Sequence, residues 1–342
     1  MWYLQNGRIL PWRETKDPYR IWISEVILQQ TRVSQGLPYY RKFIEAFPNV
    51  HDLANASEEK VLKLWQGLGY YSRARNLHFT ANYISTSLKG IFPDNYKGLM
   101  KLNGIGDYTA SAIASICFNE PTAVVDGNVY RVLARVYNLA IPINSTEGVK
   151  EFKRMAQLLI DPTQPGTFNQ AIMEFGARFC VPHNPDCDNC IFASKCLALK
   201  KNRVKQLPVK RNKTRIKKHY YNYIVPVSSD NKTFLTQRTG KGIWQNLYQF
   251  PLVESPSEVG RMALEANSEY KSLSEKFKIR SLVPYNRKTV IHKLSHKHLY
   301  TRFWIAEVPE LKENGVSFCE TQAFPVPILI GNFISEFSLF NN

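Results

Sequence analysis

The sequence predicts a multi-domain chain in which an all-α region precedes an α/β (α+β) region. Apolar residues recur at helical spacing within residues 1–199, whereas residues 219–238 alternate apolar and polar side chains as strands do. Between these regions, residues 200–218 hold ten Lys or Arg and no acidic residue. We therefore predict a helical region at 1–199, a basic interdomain linker at 200–218 and an α/β region at 219–342.

The composition favours a polyanionic partner and excludes a membrane-spanning protein. The 342 residues carry a formal net charge of +17, and 44% of them are hydrophobic, which is enough to form cores. Ribosomal, chromatin and membrane-surface proteins have a similar charge, so charge alone does not identify the partner. No run of about 18 apolar residues occurs, and the first residues lack the apolar segment of a signal peptide.

The first informative helix is predicted to begin at Asp17-Pro18, where Asp caps the helix and Pro occupies its first turn. Within this helix, Glu25 lies on the same face as Ile21 and Leu28. Burial in an apolar stripe raises the pKa of a carboxyl group, so Glu25 is a candidate general acid. The alternative is a Glu that reaches solvent from the edge of the stripe.

A glycine-rich turn at Gly104-Ile105-Gly106 is followed by the small residues of 109–115. Glycines permit unusual backbone angles and let backbone N–H groups approach a phosphate, which the start of a helix also attracts. The turn therefore predicts a helix–hairpin–helix that grips a nucleic-acid backbone. An ordinary glycine cap between two helices is the alternative.

Asp126 follows two valines and precedes a stretch with helical spacing, so we predict that it caps the helix over 127–136. A helix N-terminus lowers the pKa of a carboxyl group, and the sequence therefore predicts an ionised Asp126. A fixed anion near the hairpin is suited to stabilising a positively charged sugar. The simpler alternative is a purely structural cap.

Four of the six cysteines form a single compact pattern, C-x6-C-x2-C-x5-C, at Cys180, Cys187, Cys190 and Cys196. Four thiolates can ligate zinc or an iron–sulfur cluster. Structural zinc more often uses two separate C-x2-C hooks, so one loop with a single short gap favours the cluster. This use of cysteine points to a reducing cytoplasm.

These motifs resemble the helix–hairpin–helix/Gly-Pro-Asp superfamily of base-excision DNA glycosylases. The resemblance is carried by Gly104-Ile105-Gly106 with Asp126, and residues 24–31, SEVILQQT, resemble the signature of its adenine glycosylase (MutY-type) branch. Lyase members, such as those similar to endonuclease III, have a Schiff-base Lys where this chain has Tyr108. The cysteine spacing agrees with the superfamily's 4Fe–4S loop, which implies one 4Fe–4S cluster.

The resemblance also implies site residues. Glu25 would protonate adenine at N7 and later activate water, and Asp126 would stabilise or transiently bond the sugar cation, with Tyr108 and Asn128 orienting them. The adenine pocket would comprise Trp12, Arg13, Leu28 and Gln170. The DNA and lesion contacts in the helical region would be Gln30, Thr31, Leu68, Tyr70, Gly104 and Gly106.

The C-terminal region predicts strands at 219–227 and 233–238 around an Asp230-Asn231 turn, and residues 240–251 resemble the Nudix-like domain of the same branch. Residues 255–275 lack the R-E-x-x-E-E pattern that holds magnesium in Nudix hydrolases. This lesion-recognition domain should therefore bind rather than hydrolyse. By the resemblance, Ser295 would contact 8-oxoguanine and His296 would belong to the same DNA- and lesion-binding motif, although Leu294 stands where the family has Phe.

The resemblance therefore implies a monomeric, monofunctional DNA repair enzyme of the bacterial cytoplasm and nucleoid. Its substrate would be duplex DNA with adenine opposite 8-oxoguanine or, less selectively, guanine. An endonuclease III-like pyrimidine glycosylase/lyase is the first alternative, and Tyr108 argues against it. A non-catalytic iron–sulfur DNA-binding protein and a Nudix hydrolase are the others.

Overall fold

The computed structural model describes residues 2–211, 216–311 and 315–340. The described residues form two compact units. The first lies within Met1–Ala56 and Asn76–Asn212, and the second lies within Ser57–Arg75 and Lys213–Asn342. The segment 57–75 therefore groups with the C-terminal residues, although it is enclosed in the sequence by the helical region.

The first unit is helical. Its α-helices, together with the two at residues 57–87, are α1 (Trp2–Asn6), α2 (Pro18–Leu28), α3 (Val33–Ala46), α4 (Val50–Asn55), α5 (Glu58–Leu64), α6 (Ser72–Ser87), α7 (Tyr96–Leu99), α8 (Asp107–Phe118), α9 (Gly127–Val136), α10 (Thr146–Leu159), α11 (Pro165–Arg178) and α12 (Leu197–Lys200). Of these, α5 and the first turn of α6 belong to the second unit. Short 3-10 helices lie at Pro11–Arg13 and Val204–Gln206.

The helix α8 forms the centre of the first unit and packs against both α2 and α11. Its residues 109–115 are all buried, because a run of Ala, Ser and Thr lets neighbouring helices approach closely. The helix α2 begins where the sequence predicts, with Asp17 accepting a hydrogen bond from the Tyr19 N–H (3.0 Å). This packing brings the middle of α2 beside the start of α8.

The segment 121–125, which leads from α8 into α9, belongs to no strand in the described part of the chain. Side chains from α10 and α11 form hydrogen bonds with the backbone of its residues 122–124. These bonds are Lys153 Nζ to the Ala123 carbonyl (2.7 Å), the Ala123 N–H to Gln157 Oε1 (3.0 Å), the Val124 N–H to Asn169 Oδ1 (3.0 Å) and Asn169 Nδ2 to the Thr122 carbonyl (2.9 Å). Asn169 is completely buried, so water cannot replace it there.

The described residues of the predicted linker do not form a free tether. Leu207 is buried, the Ile143 N–H donates to the Val209 carbonyl (3.0 Å), and the Arg135 guanidinium donates to the Leu207 carbonyl (3.2 Å). Residues 212–215 lie outside the described ranges. Among the described helices, none has the length and apolar character needed to cross a bilayer.

The second unit is built on a mixed sheet with the strand order β5-β1-β8-β6, and β7 pairs with β8 on the same edge as β6. The strands are β1 (Lys217–Ser228), β2 (Lys232–Thr233), β3 (Thr236–Gln237), β4 (Tyr248–Gln249), β5 (Leu252–Ser255), β6 (Ser281–Pro284), β7 (Val290–Lys293), β8 (Lys297–Val308) and β9 (Val316–Ser317). The unit's other helices are α13 (Arg261–Glu265), α14 (Ser268–Phe277) and α15 (Ile328–Glu336), with 3-10 helices at Phe318–Ala323 and Ser338–Phe340.

The long strands β1 and β8 are parallel, whereas β5, β6 and β7 pair antiparallel with them. One face packs on α13 and α14 through Ile224 and Trp304, and the other packs on α15 through Phe303 and Phe333, whose rings stack at 4.3 Å. The predicted strand over 233–238 is wrong as a continuous element. It is divided into β2, which pairs with β9, and β3, which pairs with β4.

Candidate active site

Glu25 lies in the middle of α2, where residues 19 and 21–27 are all buried, and only 6% of Glu25 is exposed. Burial raises the pKa of its carboxyl group to about 7. The neighbouring Asp126 also raises it, whereas a hydrogen bond from Tyr108 and the charge of Arg13 lower it. A carboxyl group with this pKa can hold or release a proton near neutral pH.

Tyr108 donates its phenolic hydrogen bond to Glu25 Oε2 at 2.6 Å. It occupies the first turn of α8, directly after the glycine turn, so the hairpin and the acid are linked through one side chain. Burial and the two nearby carboxyl groups raise the pKa of Tyr108 well above its ordinary value. The phenol therefore stays neutral and acts as a donor.

Asp126 is the N-cap of α9, as the sequence predicts. Its Oδ1 accepts from the N–H groups of Asn128 and Val129, both at 2.8 Å, and its Oδ2 accepts from Asn128 Nδ2 at 2.7 Å. The predicted direction of its pKa is wrong, because the pKa of Asp126 is raised. Burial raises it by more than these three hydrogen bonds and the charge of Arg131 lower it.

A continuous chain of hydrogen bonds leads from Asp126 to the cysteine loop. Asn128 holds Asp126 and accepts from Arg131 Nη2 at 2.9 Å, and Arg131 Nε donates to the Cys180 carbonyl at 2.7 Å. The same guanidinium donates to the Gly176 carbonyl at the end of α11 (2.6 Å). Asn128 is thus fixed from both sides.

Side chains predicted for the adenine pocket lie in the same unit and have defined partners. Trp12 is buried with its ring edge-on to Tyr40 at 5.0 Å. Leu28 ends α2 and approaches Gly36 so closely that a Cβ there would lie 2.9 Å from Leu28 Cδ2. Gln170 accepts a hydrogen bond from the Tyr3 hydroxyl at 2.7 Å.

Arg13 is held by Glu174, which lies on α11 and has a side chain only 1% exposed. Glu174 accepts from Arg13 Nη2 (2.8 Å) and from Arg8 Nε and Nη2 (2.7 and 2.6 Å). Burial alone would raise the pKa of Glu174, but these hydrogen bonds outweigh it and lower the pKa to about 2. Sequence reasoning missed Arg8 and Tyr3, because their partners on α11 lie more than 160 positions away.

The glycine turn has two different glycines. Gly104 has φ +74°, and a Cβ there would lie 2.7 Å from Asn76 Cβ, so the position requires glycine. Gly106 is extended and caps α8, and the space that its Cβ would occupy is open. A phosphate could therefore approach the backbone at Gly106 without meeting a side chain.

The remaining predicted DNA contacts are placed on the surface, with one exception. Gln30 is exposed with φ +55° just after α2, and Thr31 is half-buried. In the second unit, Tyr70 is 48% exposed with φ +47° beside Gly69, whereas Leu68 is only 7% exposed. Ser295 and His296 are exposed at the turn between β7 and β8, with Ser295 Oγ 3.4 Å from His296 Nδ1.

The four predicted cysteine ligands line one small cavity, together with Phe175, Phe179, Phe192 and Arg135. Arg135 is 2% exposed, and its guanidinium lies 3.4 Å from Cys180 Sγ while donating to the Val181 carbonyl. Within the described residues, no group of three or more His, Cys, Asp or Glu is arranged to hold a metal ion. Four sulfur donors around an apolar cavity, beside a cation that favours thiolates, are the donor chemistry that an iron–sulfur cluster requires.

Comparison with known proteins matches both units to families. Residues 23–157 match the HhH-GPD superfamily of base excision DNA repair proteins, and residues 222–336 match the NUDIX domain. Together these matches confirm the predicted fold class, a helical HhH-GPD glycosylase region followed by a Nudix-like domain.

Among curated proteins, the chain is similar to the adenine DNA glycosylase of Buchnera aphidicola subsp. Baizongia pistaciae (strain Bp), with 37% identity over 89% of this chain and 84% of that protein. It is 45% identical to the adenine DNA glycosylase of Mus musculus over 58% of this chain and 40% of the mouse protein. Among solved structures, a thermostable thymine-DNA glycosylase matches with a TM-score of 0.54 and 28% identity, over 58% of this chain and 92% of that one.

Proposed function

This chain belongs to the adenine DNA glycosylases, hydrolytic enzymes that excise adenine in DNA repair, and we propose that its substrate is adenine paired with 8-oxoguanine or, less selectively, with guanine. The enzyme would act as a monomer on duplex DNA in the bacterial cytoplasm and nucleoid. One observation carries the proposed chemistry: the buried Glu25 carboxyl receives a 2.6 Å hydrogen bond from Tyr108, and Asp126 is near enough to raise its pKa.

Glu25 would act first as a general acid. With a pKa of about 7, a large fraction of Glu25 is protonated at neutral pH, and this proton would pass to N7 of the adenine. Protonation makes adenine a better leaving group, because the electrons of the glycosidic bond then remain on a neutral base. The resulting carboxylate would accept a proton from the attacking water, while neutral Tyr108 keeps the carboxyl group oriented.

Asp126 would stabilise the sugar as the glycosidic bond breaks and positive charge develops on the ring. Its three hydrogen bonds favour the ionised form against the effect of burial and fix its position. Asn128 supplies two of these bonds and would act as a positioning residue. Arg131 in turn holds the Asn128 side chain.

The base must leave the helical stack to reach this site. We propose that Trp12, Arg13, Leu28 and Gln170 receive it. The Gln170 carbonyl is held by Tyr3, which fixes the amide plane so that it can hydrogen-bond to the adenine edge. Glu174 fixes Arg13 in the same way.

The DNA would be gripped at several separate places. The backbone at Gly104 and Gly106 would bind a phosphate, Gln30, Thr31 and Tyr70 would insert near the mispair, and Ser295 with His296 would read 8-oxoguanine. Leu68 is buried and would support the Tyr70 turn. We retain residues 1–199, 200–218 and 219–342 as the glycosylase region, linker and Nudix-like domain, with segment 57–75 grouped with the last and linker residues 200–211 grouped with the first.

We infer that Cys180, Cys187, Cys190 and Cys196 would hold one 4Fe–4S cluster. Such a cluster would supply a cross-link that fixes residues 180–196 as one loop. Arg135 supports the loop from beneath through hydrogen bonds to the Val181 and Pro182 carbonyls.

The test is a single-turnover assay on matched duplexes with A opposite 8-oxoguanine, G or T, and with an oxidised thymine, each read with and without alkali. Strand cleavage that requires alkali and occurs only at A opposite 8-oxoguanine or G is the expected result. Alkali-independent cleavage at oxidised thymine would restore the lyase alternative. Binding without base release would favour the non-catalytic alternative.

A further inference from the structure

One face of the sheet in the second unit is covered over only half its length. The C-terminal halves of the parallel strands β1 and β8 pack on α13 and α14 through Ile224, Trp304 and Ala306. The face at their N-terminal halves, beside the β7–β8 turn, carries two rows of side chains that cross three strands. The first row is Lys218, His298 and Lys293, and the second is Tyr220, Tyr300 and Ile291; we call these six residues the open sheet patch.

The pairing register places both rows on the same face of the sheet. Tyr220 lies opposite Tyr300 in the parallel pair of β1 and β8, and Ile291 lies opposite Tyr300 in the antiparallel pair of β7 and β8. The two tyrosine rings stack with centroids 5.1 Å apart, and Lys218 Nζ lies 5.6 Å from the Tyr300 centroid. The patch is accessible, since Ile291 is 48% exposed and Lys218 and Lys293 are exposed.

The charge of the patch is positive and not balanced locally. Among the described residues, Lys218 and Lys293 form no ion pair within 4 Å of an acidic oxygen. Glu258, which follows β5, is already paired with Arg302 at 2.7 Å. Glu254 alternates onto the opposite face, where it lies 3.8 Å from His219.

We propose that the open sheet patch binds the DNA strand that the β7–β8 turn reads, with phosphates at the lysine row and a nucleobase or sugar against the tyrosine row. Aromatic rings on an open sheet with flanking lysines bind nucleic-acid strands by stacking and charge. Continuity supports DNA over an acidic peptide, because the turn that carries Ser295 connects Lys293 directly to β8. This proposal rests on the proposed function.

The experiment measures the dissociation constant and its salt dependence for a duplex with 8-oxoguanine opposite 2′-fluoro-deoxyadenosine, whose glycosidic bond resists cleavage. The variants are Lys218→Gln with Lys293→Gln, and Tyr220→Leu with Tyr300→Leu. We expect the double lysine variant to reduce the magnitude of the slope of log association constant against log salt concentration by about two, as for the loss of two phosphate contacts. The tyrosine pair should weaken binding about tenfold with a much smaller change in slope.

Matched controls keep the result interpretable. Tyr220→Phe with Tyr300→Phe retains both rings and should bind like the wild type, and Lys271→Gln removes an exposed charge from α14 and should leave the slope nearly unchanged. Far-UV circular dichroism and the urea unfolding midpoint of every variant should match those of the wild type, which shows that the variants fold.

Two outcomes separate this proposal from the proposed function. If the wild type binds and cleaves the duplex but both patch pairs bind it within twofold of the wild type, the patch does not contact DNA and the proposal is overturned. If the wild type neither binds nor cleaves the duplex, the proposed function itself fails.

Discussion

The polar groups around Glu25 are buried, whereas those in the turn around Ser295 are exposed to solvent. Glu25 is 6% exposed and its pKa is raised to about 7, while each neighbouring polar group is held by a second side chain. Ser295 and His296 are exposed, and Ser295 Oγ lies 3.4 Å from His296 Nδ1. Proton transfer benefits from burial because burial shifts the pKa, whereas reading a base requires groups that DNA can reach.

The largest effect is expected from removing the buried acid. Glu25→Gln keeps the size of the side chain but has no proton to give, so the single-turnover rate should fall by about 10²–10⁴-fold. DNA affinity should stay close to wild type. Glu14→Gln, an isosteric change at an exposed position, is the control, and an active Glu25→Gln protein would contradict the assignment.

The next effect tests whether burial also decides how much a side chain contributes to stability when it binds segment 121–125, which leads into Asp126. Asn169→Leu leaves the Val124 N–H and the Thr122 carbonyl without partners in a buried site. We expect the free energy of unfolding to fall by about 2–4 kcal/mol. The rate should fall about tenfold at temperatures where the protein remains folded.

Gln157 binds the same segment from an exposed position, so it serves as the matched control. Water can replace its amide, and Gln157→Leu should change the unfolding free energy by less than about 1 kcal/mol. Urea titration of both variants measures the difference. Equal losses would contradict the role assigned to burial.

A smaller effect concerns the pH dependence. The Tyr108 hydrogen bond lowers the pKa of Glu25, so the pKa should rise when Tyr108→Phe removes it. The rate depends on protonated Glu25 and therefore falls as the pH increases through this pKa. In Tyr108→Phe the fall should move to higher pH, with a plateau rate about tenfold lower.

Single-turnover pH–rate profiles measure this shift. Tyr96→Phe removes a similar hydroxyl–carboxylate hydrogen bond, to Asp107 at 2.7 Å, on the exposed surface. It should leave the position of the fall unchanged. A Tyr108→Phe profile that moves to lower pH would contradict the assignment of Glu25 as the acid.

The smallest effect is expected at the exposed turn. Ser295→Ala removes one solvent-accessible hydrogen bond, so the preference for A opposite 8-oxoguanine over A opposite guanine should fall roughly two- to tenfold. Ser257→Ala, at an exposed position in the same unit, is the control. A change in the rate on A opposite guanine alone would argue against lesion reading.

Local sequence signals predict those parts of the site that are fixed by near neighbours. The cap at Asp17, the cap at Asp126 and the burial of Glu25 all follow from residues within a few turns. The predicted direction of the Asp126 pKa shift is wrong, because the shift depends on how deeply the folded unit buries the carboxyl group. Arg8 and Tyr3 were missed because only the tertiary fold brings them to α11.

The second unit shows the same limit for strands. Alternation predicts β1, which is long and paired on both sides. The alternating stretch 233–238 is divided instead, because its partners β4 and β9 lie elsewhere in the sequence and accept only two residues each. The alternation signals extended backbone but does not identify the partner strand.

The way in which segment 121–125 is held in place determines which inherited substitutions can damage the enzyme. A strand in a sheet is held by backbone atoms, which a missense change leaves in place unless it introduces proline. This segment depends on the buried side chain of Asn169, which one codon change can remove. A lineage could therefore lose repair through a substitution that touches neither DNA nor the reacting atoms, and such an allele would look harmless in a list of active-site residues.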